Sequence, residues 1–224
     1  QADEFASNGL ARIRLNGRDS YIDKQGNVVF ELPEGQASTF YDNGLARFVV
    51  GESYGLIDTE GNILLEAKYE WFAYSNEDIN CWAQIQLREG GQTGYIDETG
   101  HVAIVPRFEE IGDFSEQGLA YILLEGKYGY VDRNDSIVVT PQFEFAGNFG
   151  NNGLAPVQTG DRWGYIDTAG NIVIGFQYDE ARDFSDNGVA AVKVSGKWGY
   201  INSKGDYVFE PQFDDMIDFG GNRL

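Results

Sequence analysis

Residues 188–213 read GVAAVKVSGKWGYINSKGDYVFEPQF, and this stretch decides the fold. In residues 190–194 an apolar side chain stands at every second position, which is typical of a half-buried β-strand. Residues 195–197 (SGK) form a turn signal, and residues 198–201 (WGYI) read as a second β-type run. Two such runs joined by two or three residues that include glycine predict a β-hairpin.

A second turn and a third strand follow the hairpin, as the preceding copy of the motif shows most clearly. Residues 167–170 read DTAG, in which the Asp side chain can accept hydrogen bonds from the backbone ahead and the Gly can take a positive φ. Residues 172–174 (IVI) then predict the third strand, and residues 179–188 a polar connection with buried anchors. Because proline has no N–H for a sheet ladder, we expect the third strands to stop at Pro106, Pro141 and Pro211.

The Asp of this turn marks an internal repeat along the whole chain. It recurs in steps of 35, 39, 35, 35 and 35 residues, at Asp23, Asp58, Asp97, Asp132 and Asp167, with Asn202 in the last copy. The long step contains two insertions, in residues 75–80 and 88–92. We therefore predict a single all-β domain over residues 1–224, built from six three-stranded antiparallel repeats and the start of a seventh. The repeats span approximately residues 5–39, 40–74, 75–113, 114–148, 149–183 and 184–218.

Aromatic residues recur in register with the repeat. One column consists of Phe5, Phe40, Phe114, Phe149, Phe184 and Phe219. A three-stranded sheet of this size cannot cover its own apolar face, so each repeat is predicted to pack on the next. An open, solenoid-like array is favoured because 35 residues is short for a propeller blade. A closed six-bladed ring is the alternative, since Phe5 and Phe219 lie in the same phase of the repeat.

The glycine in residues 163–165 (WGY) lies between two aromatic side chains, and a glycine recurs at this position of the repeat. Its lack of a Cβ predicts the close approach of a ring or of backbone at each of these positions, which are Gly55, Gly94, Gly129, Gly164 and Gly199.

The pattern in residues 153–178 and 188–213 resembles the bacterial WG-repeat family, also called KWG repeats. The resemblance covers nearly the whole chain, although Asp19-Ser20 and Thr93 depart from the Trp-Gly consensus in the first and third repeats. It implies a bacterial β-repeat protein, often associated with the cell surface. It implies no common activity for the family, and it supplies no catalytic residues. The chain begins Gln1-Ala2-Asp3, which fits either a mature secreted chain or a trimmed one.

Composition excludes several classes of partner. The chain carries 36 acidic and 16 basic side chains, for a net charge of -20. Nucleic acid and anionic lipid are therefore not expected partners, because both attract basic surfaces. The longest apolar runs, such as residues 137–139, are far shorter than the roughly 20 residues that span a bilayer, so no membrane insertion is expected. The single cysteine, Cys81, allows no intramolecular disulfide and no cysteine-rich zinc site.

The sequence offers little that is typical of an enzyme, and we expect no catalytic residues, no bound metal and no cofactor. His101, the single histidine, stands at a turn position where sister repeats have asparagine, and Cys81 stands at an apolar position beside Ala83. Paired carboxylates recur after the third strand, at Glu109-Glu110, Asp179-Glu180 and Asp214-Asp215. Such pairs could hold Ca²⁺ or serve glycoside hydrolysis, but adjacent residues in a loop point apart, and surface acids also keep a β-array soluble.

Aromatic residues around the irregular third repeat are the candidate binding site. Trp71, Phe72, Tyr74 and Trp82 lie beside the two insertions, and repeat proteins display binding sites where a loop departs from the pattern. Flat rings suit stacking on sugars or anchoring of a protein. We therefore expect a non-catalytic binding or scaffold module, monomeric, with a protein or glycan ligand. The alternative is a glycan-directed enzyme or a Ca²⁺-dependent carbohydrate-binding domain that uses the acidic loops.

Overall fold

The computed structural model describes residues 4–72 and 82–215, and in these ranges every regular element is a β-strand. The chain divides into two compact units, Gln1–Phe108 and Glu109–Leu224. In both units neighbouring strands in each sheet run antiparallel. The all-β prediction is therefore confirmed for the described residues.

Two sheets make up the first unit. One has the order β1-β2-β3 and consists of β1 (Ala11–Leu15), β2 (Arg18–Ile22) and β3 (Val28–Glu31). The other has the order β10-β9-β8-β7-β6-β5-β4. Its strands are β4 (Gln36–Ala37), β5 (Ala46–Val50), β6 (Ser53–Ile57), β7 (Ile63–Phe72), β8 (Ala83–Leu87), β9 (Thr93–Ile96) and β10 (Val102–Phe108).

Three four-stranded meanders make up the second unit. The first consists of β11 (Glu110–Ile111), β12 (Leu119–Leu124), β13 (Lys127–Asp132) and β14 (Ile137–Phe143). The next consists of β15 (Phe145–Ala146), β16 (Ala155–Thr159), β17 (Arg162–Ile166) and β18 (Ile172–Tyr178). The last consists of β19 (Glu180–Ala181), β20 (Val189–Val194), β21 (Lys197–Asn202) and β22 (Tyr207–Phe213).

Each of these meanders has a short fourth strand that the three-stranded repeat prediction lacks. After β14 the chain bends at a single residue, Glu144, and continues as β15, which pairs with β16 in the next sheet. Asp179 occupies the same bend between β18 and β19. A two-residue strand carries no periodicity of its own, so the sequence reads there as a polar connection. The result is that the chain passes directly from the outer edge of one sheet to the first edge of the following sheet.

The expectation that the third strand stops at proline is wrong. Strands β10, β14 and β22 run through Pro106, Pro141 and Pro211 and end two residues later. The pairing explains why. Val139 and Phe143 of β14 pair with Tyr130 and Tyr128 of β13, so four residues along β14 lie opposite only two residues along β13. The extra residues of β14 form a β-bulge, where backbone groups fall out of the ladder and proline's missing N–H is tolerated.

The predicted close approach at the recurring glycine is confirmed, and the approaching group is the bulged third strand. A Cβ placed on Gly129 would lie 2.4 Å from the carbonyl oxygen of Val139, and one on Gly164 would lie 2.6 Å from that of Ile174. Real Cβ atoms do not come this close to backbone oxygen, so the bulge and the glycine require each other.

The core lies between successive repeats, as predicted from the aromatic columns. In the second unit one buried cluster joins Tyr130, Val139 and Phe143 of one sheet to Phe149 and Val157 of the next. A second cluster repeats this arrangement between the following two sheets, and two further clusters lie in the first unit. The middle sheet of the second unit, β15–β18, therefore buries one apolar face against the sheet before it and the other against the sheet after it.

A tyrosine and a phenylalanine recur at the centre of these clusters. The ring centroids of Tyr130 and Phe149 are 4.7 Å apart, and those of Tyr165 and Phe184 are 4.9 Å apart. The Tyr130 hydroxyl also donates to the Gly147 carbonyl at 2.8 Å, which satisfies its polar atom inside the core. Ring packing and hydrogen bond together fix the position of each repeat on its neighbour.

Replacement of Gly164 by alanine is expected to lower the free energy of unfolding by about 1–3 kcal/mol, because the new Cβ collides with the β18 backbone. Gly175→Ala is the matched control, since a Cβ at Gly175, on the strand opposite, meets nothing within 4 Å. Urea denaturation of the two variants and the parent checks this. Equal losses in both variants would contradict the role of the bulge.

Candidate functional site

The carboxylate at each bend joins the hairpins of two successive repeats. Glu144 accepts from the Lys127 ammonium at 3.0 Å in its own sheet and from the Gly160 N–H at 3.2 Å in the hairpin turn of the next. Asp179 likewise accepts from Arg162 and, at 3.4 Å, from the Gly196 N–H. The hydrogen bond from Lys127 is the main cause that holds the pKa of Glu144 below its usual range.

The two acids of the Glu109-Glu110 pair have different hydrogen-bond partners. Glu110 accepts from the hydroxyls of Tyr121 at 3.0 Å and Tyr128 at 3.1 Å, whereas Glu109 accepts from the Gly126 N–H at 3.2 Å. Burial and then the Glu110 charge raise the pKa of Tyr121 far above its usual range. The expectation that adjacent carboxylates point apart is therefore confirmed at this pair.

Asp179 and Glu180 diverge in the same way, because Glu180 accepts from the Lys193 ammonium at 2.7 Å. Within residues 4–72 and 82–215, no three His, Cys, Asp or Glu side chains lie together in a way that could hold a metal ion.

The D-x-x-G turns form as predicted. One oxygen of Asp167 accepts the backbone N–H groups of Ala169 at 3.0 Å and Asn171 at 2.8 Å, and the other accepts from the Asn171 side chain at 2.9 Å. Gly170 has φ 84°. His101 takes the asparagine position of the Asp97 turn, where its backbone N–H donates to the Asp97 carboxylate at 3.0 Å. These carboxylate oxygens therefore accept hydrogen bonds within the turns and stabilise them, and each turn positions the third strand that follows it.

A row of aromatic rings crosses the surface of the second unit. We call Tyr121, Tyr128, Phe145 and Trp163 the aromatic ladder. Tyr121 and Tyr128 have ring centroids 6.0 Å apart, Tyr128 and Phe145 5.2 Å, and Phe145 and Trp163 5.3 Å. Phe145 is 44% exposed, and the other three rings are half-buried. The ladder therefore offers solvent a continuous aromatic strip that spans two sheets.

Sheet pairing builds this ladder from residues that are distant in sequence. Tyr128 and Trp163 hold equivalent positions on β13 and β17, which are central strands of their sheets. Phe145 lies on the short strand β15, between them. The sequence reasoning missed Phe145 because it did not predict β15. A signal was present, because sister repeats carry Glu110 and Glu180 at this position and the acidic pattern breaks there.

The predicted site residues of the third repeat are only partly described. Trp71 is half-buried on β7, and its indole N–H donates to the Gln86 side chain at 2.7 Å. Trp82 is also half-buried, with its ring centroid 6.5 Å from that of Tyr95. Phe72 is the last residue of β7, and the structure describes its backbone only. Tyr74 and Cys81 lie outside the described residues.

Trp71 and Phe145 share one register position. Each follows the bend position of its repeat, and each stands opposite a glutamine on the neighbouring strand, Gln86 or Gln158. The candidate residue found from sequence and the centre of the aromatic ladder are therefore equivalent positions in two different repeats.

Comparison with known proteins identifies the repeat. The family described as WG containing repeat matches residues 54–88, 94–128, 128–163, 163–198 and 198–223, which is well over half of the chain. No curated protein matches the chain. In the described residues no helix is long and apolar enough to cross a bilayer.

Solved structures give only distant likenesses. A crystal structure of a eukaryotic initiation factor has 10% identity and a TM-score of 0.45; the match covers 90% of this chain but only 62% of that one. Kluyveromyces lactis Hsv2p has 10% identity and a TM-score of 0.41, covering 91% and 74% of the two chains. A Bacteroides caccae protein of unknown function has 15% identity and a TM-score of 0.31, covering 86% and 88%.

We expect Asp167→Asn to reduce the loss of stability in acid. Hydrogen bonds from Asn171, first from its side chain, hold the folded pKa of Asp167 below the usual 3.8. This carboxylate therefore stabilises the fold above the unfolded pKa, and the contribution is lost as the pH falls through the folded pKa. The neutral variant keeps the turn, since Asn202 accepts the equivalent backbone bonds in the last repeat.

The measurement is the melting temperature of the parent and of Asp167→Asn between about pH 3 and pH 7. The difference between them should be narrower at about pH 3 than at pH 7. Parallel curves would show that the Asp167 carboxylate does not contribute.

Proposed function

The chain belongs to the WG-containing repeat family, and we propose that it is a non-catalytic binding module whose tandem sheets act as a scaffold for a protein or glycan ligand. The single observation that carries this proposal is the aromatic ladder, in which Phe145 is 44% exposed between Tyr128 and Trp163. Flat rings of this kind stack on the apolar faces of sugars and serve as anchors in protein interfaces.

The ladder is supported rigidly, which favours binding. Glu110 accepts hydrogen bonds from the hydroxyls of both Tyr121 and Tyr128, so both rings are held in place before any ligand arrives. A preorganised surface loses little side-chain entropy on binding. The strands beneath it are fixed in turn by the core between the sheets.

Charge narrows the class of ligand. The chain has a net charge of -20. The acid next to the ladder, Glu110, already accepts hydrogen bonds from the hydroxyls of Tyr121 and Tyr128. An anionic ligand would meet long-range repulsion. Neutral glycans and neutral or basic polypeptide segments are the ligands that this surface suits.

Phe145→Glu is expected to abolish capture of the ligand. Sister repeats carry Glu110 and Glu180 at this position, so the fold accepts glutamate there, while the central ring of the ladder is lost. The assay is binding to an array of neutral oligosaccharides, with a pull-down of protein partners in parallel.

Ile172→Ala is the control, because Ile172 is an exposed apolar residue on β18, in the same sheet as Phe145 but outside the ladder. Binding by Phe145→Glu at the level of the parent in both assays would contradict the proposal. A large drop in its melting temperature would instead assign Phe145 to the core.

The third repeat supplies a second candidate surface, which rests on Trp71 and Trp82 with Phe72 and Tyr74. The observation that favours it is the shared register position of Trp71 and Phe145. We expect Trp71→Ala and Trp82→Ala to lose partner capture with little change in melting temperature, because both rings are half-buried.

The same array and pull-down measure this, with thermal melting as the second readout. Gln86→Ala is a useful companion variant, since it removes the hydrogen-bond acceptor of the Trp71 indole and leaves the ring. Retained capture in both tryptophan variants would leave the aromatic ladder as the one proposed surface.

A further inference from the structure

Strand β18 is an open edge of an internal sheet. In the order β15-β16-β17-β18 it stands last, and within the described residues it pairs only with β17. The backbone N–H and C=O groups on the outer side of an edge strand have no partner in the sheet. Ile172 and Val173 on β18 are 59% and 47% exposed, and Gly175 and Gln177 are exposed as well. The strand therefore presents an accessible edge along most of its length.

The other long edge strands carry residues that discourage the addition of a further strand. Proline cannot extend a hydrogen-bond ladder, and a charged side chain on an edge opposes its burial beneath another strand. Strands β10, β14 and β22 contain Pro106, Pro141 and Pro211, and strands β1 and β3 contain Arg12, Arg14 and Glu31. Strand β18 reads IVIGFQY and contains neither kind of residue. Within residues 4–72 and 82–215 it is the one edge strand longer than two residues that lacks both.

The difference between β18 and β14 lies mainly at two positions. Gly175 and Phe176 stand where β14 has Thr140 and Pro141. A Cβ at Gly175 would meet nothing within 4 Å, so the space beside the strand is open there. Phe176 packs against the buried cluster between the sheets β11–β14 and β15–β18, and its backbone keeps the N–H that proline lacks. The third strand of this repeat is therefore anchored and still able to extend a ladder.

The chemistry of an edge strand selects its ligand. Hydrogen-bond donors and acceptors alternate along the edge at the spacing of an extended polypeptide, which a glycan chain does not reproduce. The exposed Ile172 and Val173 favour apolar side chains on the added strand. Asp167 lies in the turn before β18, Asp179 directly follows the strand, and the net charge of the chain is -20. Basic residues in the ligand are therefore favoured over acidic ones.

We propose that β18 binds an extended segment of a partner polypeptide, rich in apolar and basic residues, which joins the sheet β15–β18 as an additional strand. Main-chain hydrogen bonds to β18 hold the segment, and its apolar side chains lie against Ile172 and Val173. This surface is separate from the aromatic ladder, because Phe145 lies on β15 at the opposite edge of the sheet and no ladder residue lies on β18. The proposal therefore adds a second surface with a different mode of binding.

The probe is a synthetic peptide that alternates valine and lysine over seven residues, the length of β18. Its matched control has the same side chains but is N-methylated at every residue, which removes the backbone donors and keeps the charge. Isothermal titration calorimetry with the full chain should show one bound probe, and binding of the control should be at least about tenfold weaker. Hydrogen exchange of the β18 amides should slow on binding, while exchange in β14 should not change.

Matched variants test whether the site is on β18. Val173→Lys places a charge on this edge, and Val138→Lys places the same charge at the equivalent, 42% exposed position of β14. The first variant should bind the probe at least about tenfold more weakly than wild type, and the second should bind as wild type does. Both changes lie on the surface, so both variants should fold.

A gain of binding is the converse test. Thr140→Gly combined with Pro141→Phe gives β14 the two residues that distinguish β18, so this double variant should bind two probes instead of one. Phe176→Pro gives β18 the proline of β14 and should weaken binding as Val173→Lys does.

Three results would overturn the proposal. These are equal binding of the N-methylated peptide, unchanged exchange of the β18 amides in the presence of the probe, and equal binding by Val173→Lys and Val138→Lys. Sedimentation velocity of the chain alone tests the remaining occupant, a second copy. A monomer supports a partner polypeptide, whereas a dimer that Val173→Lys dissociates would show that β18 pairs with itself and would overturn this choice of partner.

Discussion

The fold depends on apolar faces that are buried only between successive repeats. Tyr130 and Val139 belong to one sheet and Phe149 and Val157 to the next, and all four are buried in one cluster. None of these sheets has a closed core of its own, so each depends on the sheet beside it for the removal of apolar surface from water. The alignment of the sheets is set by the same contact, because the Tyr130 hydroxyl reaches the Gly147 carbonyl, which directly follows the first strand of the next sheet.

The bend between sheets turns this packing into a regular succession. A single acidic residue, Glu144 or Asp179, lets the chain leave one sheet and enter the next without a loop. Its carboxylate then accepts hydrogen bonds from both hairpins. The acids that look like a catalytic or calcium-binding pair in the sequence are thereby explained by the connection between repeats and by the tyrosines beside it.

Function is most readily placed where the repeats differ from one another. The position after the bend carries Glu110 and Glu180 in two repeats but Phe145 in the repeat between them, and there the rings of Tyr128 and Trp163 join into the aromatic ladder. The common scaffold thus supplies rigidity, and a substitution in one copy supplies an exposed aromatic surface. Trp71 is a second substitution of this kind, at the same position.

Several features were predictable from single positions in the sequence. The hairpins, the D-x-x-G turns and the packing of aromatic columns follow from alternation, from Asp and Gly chemistry and from the 35-residue step. The need for glycine at Gly164 was also predictable, because only the lack of a Cβ explains its place between two large rings. Trp71 was proposed as a binding residue because it is a large aromatic residue beside an insertion, and that role stays a prediction.

Other features required the tertiary structure. The strand β15 has two residues, which is too short for any periodic pattern, and it exists only because the neighbouring strand β16 offers a hydrogen-bonding edge. The passage of β14 through Pro141 depends on a bulge, which is a property of strand pairing and not of local sequence. Local chemistry thus determined the turns and the repeat, whereas the pairing of distant strands decided where Phe145 lies and which rings it joins.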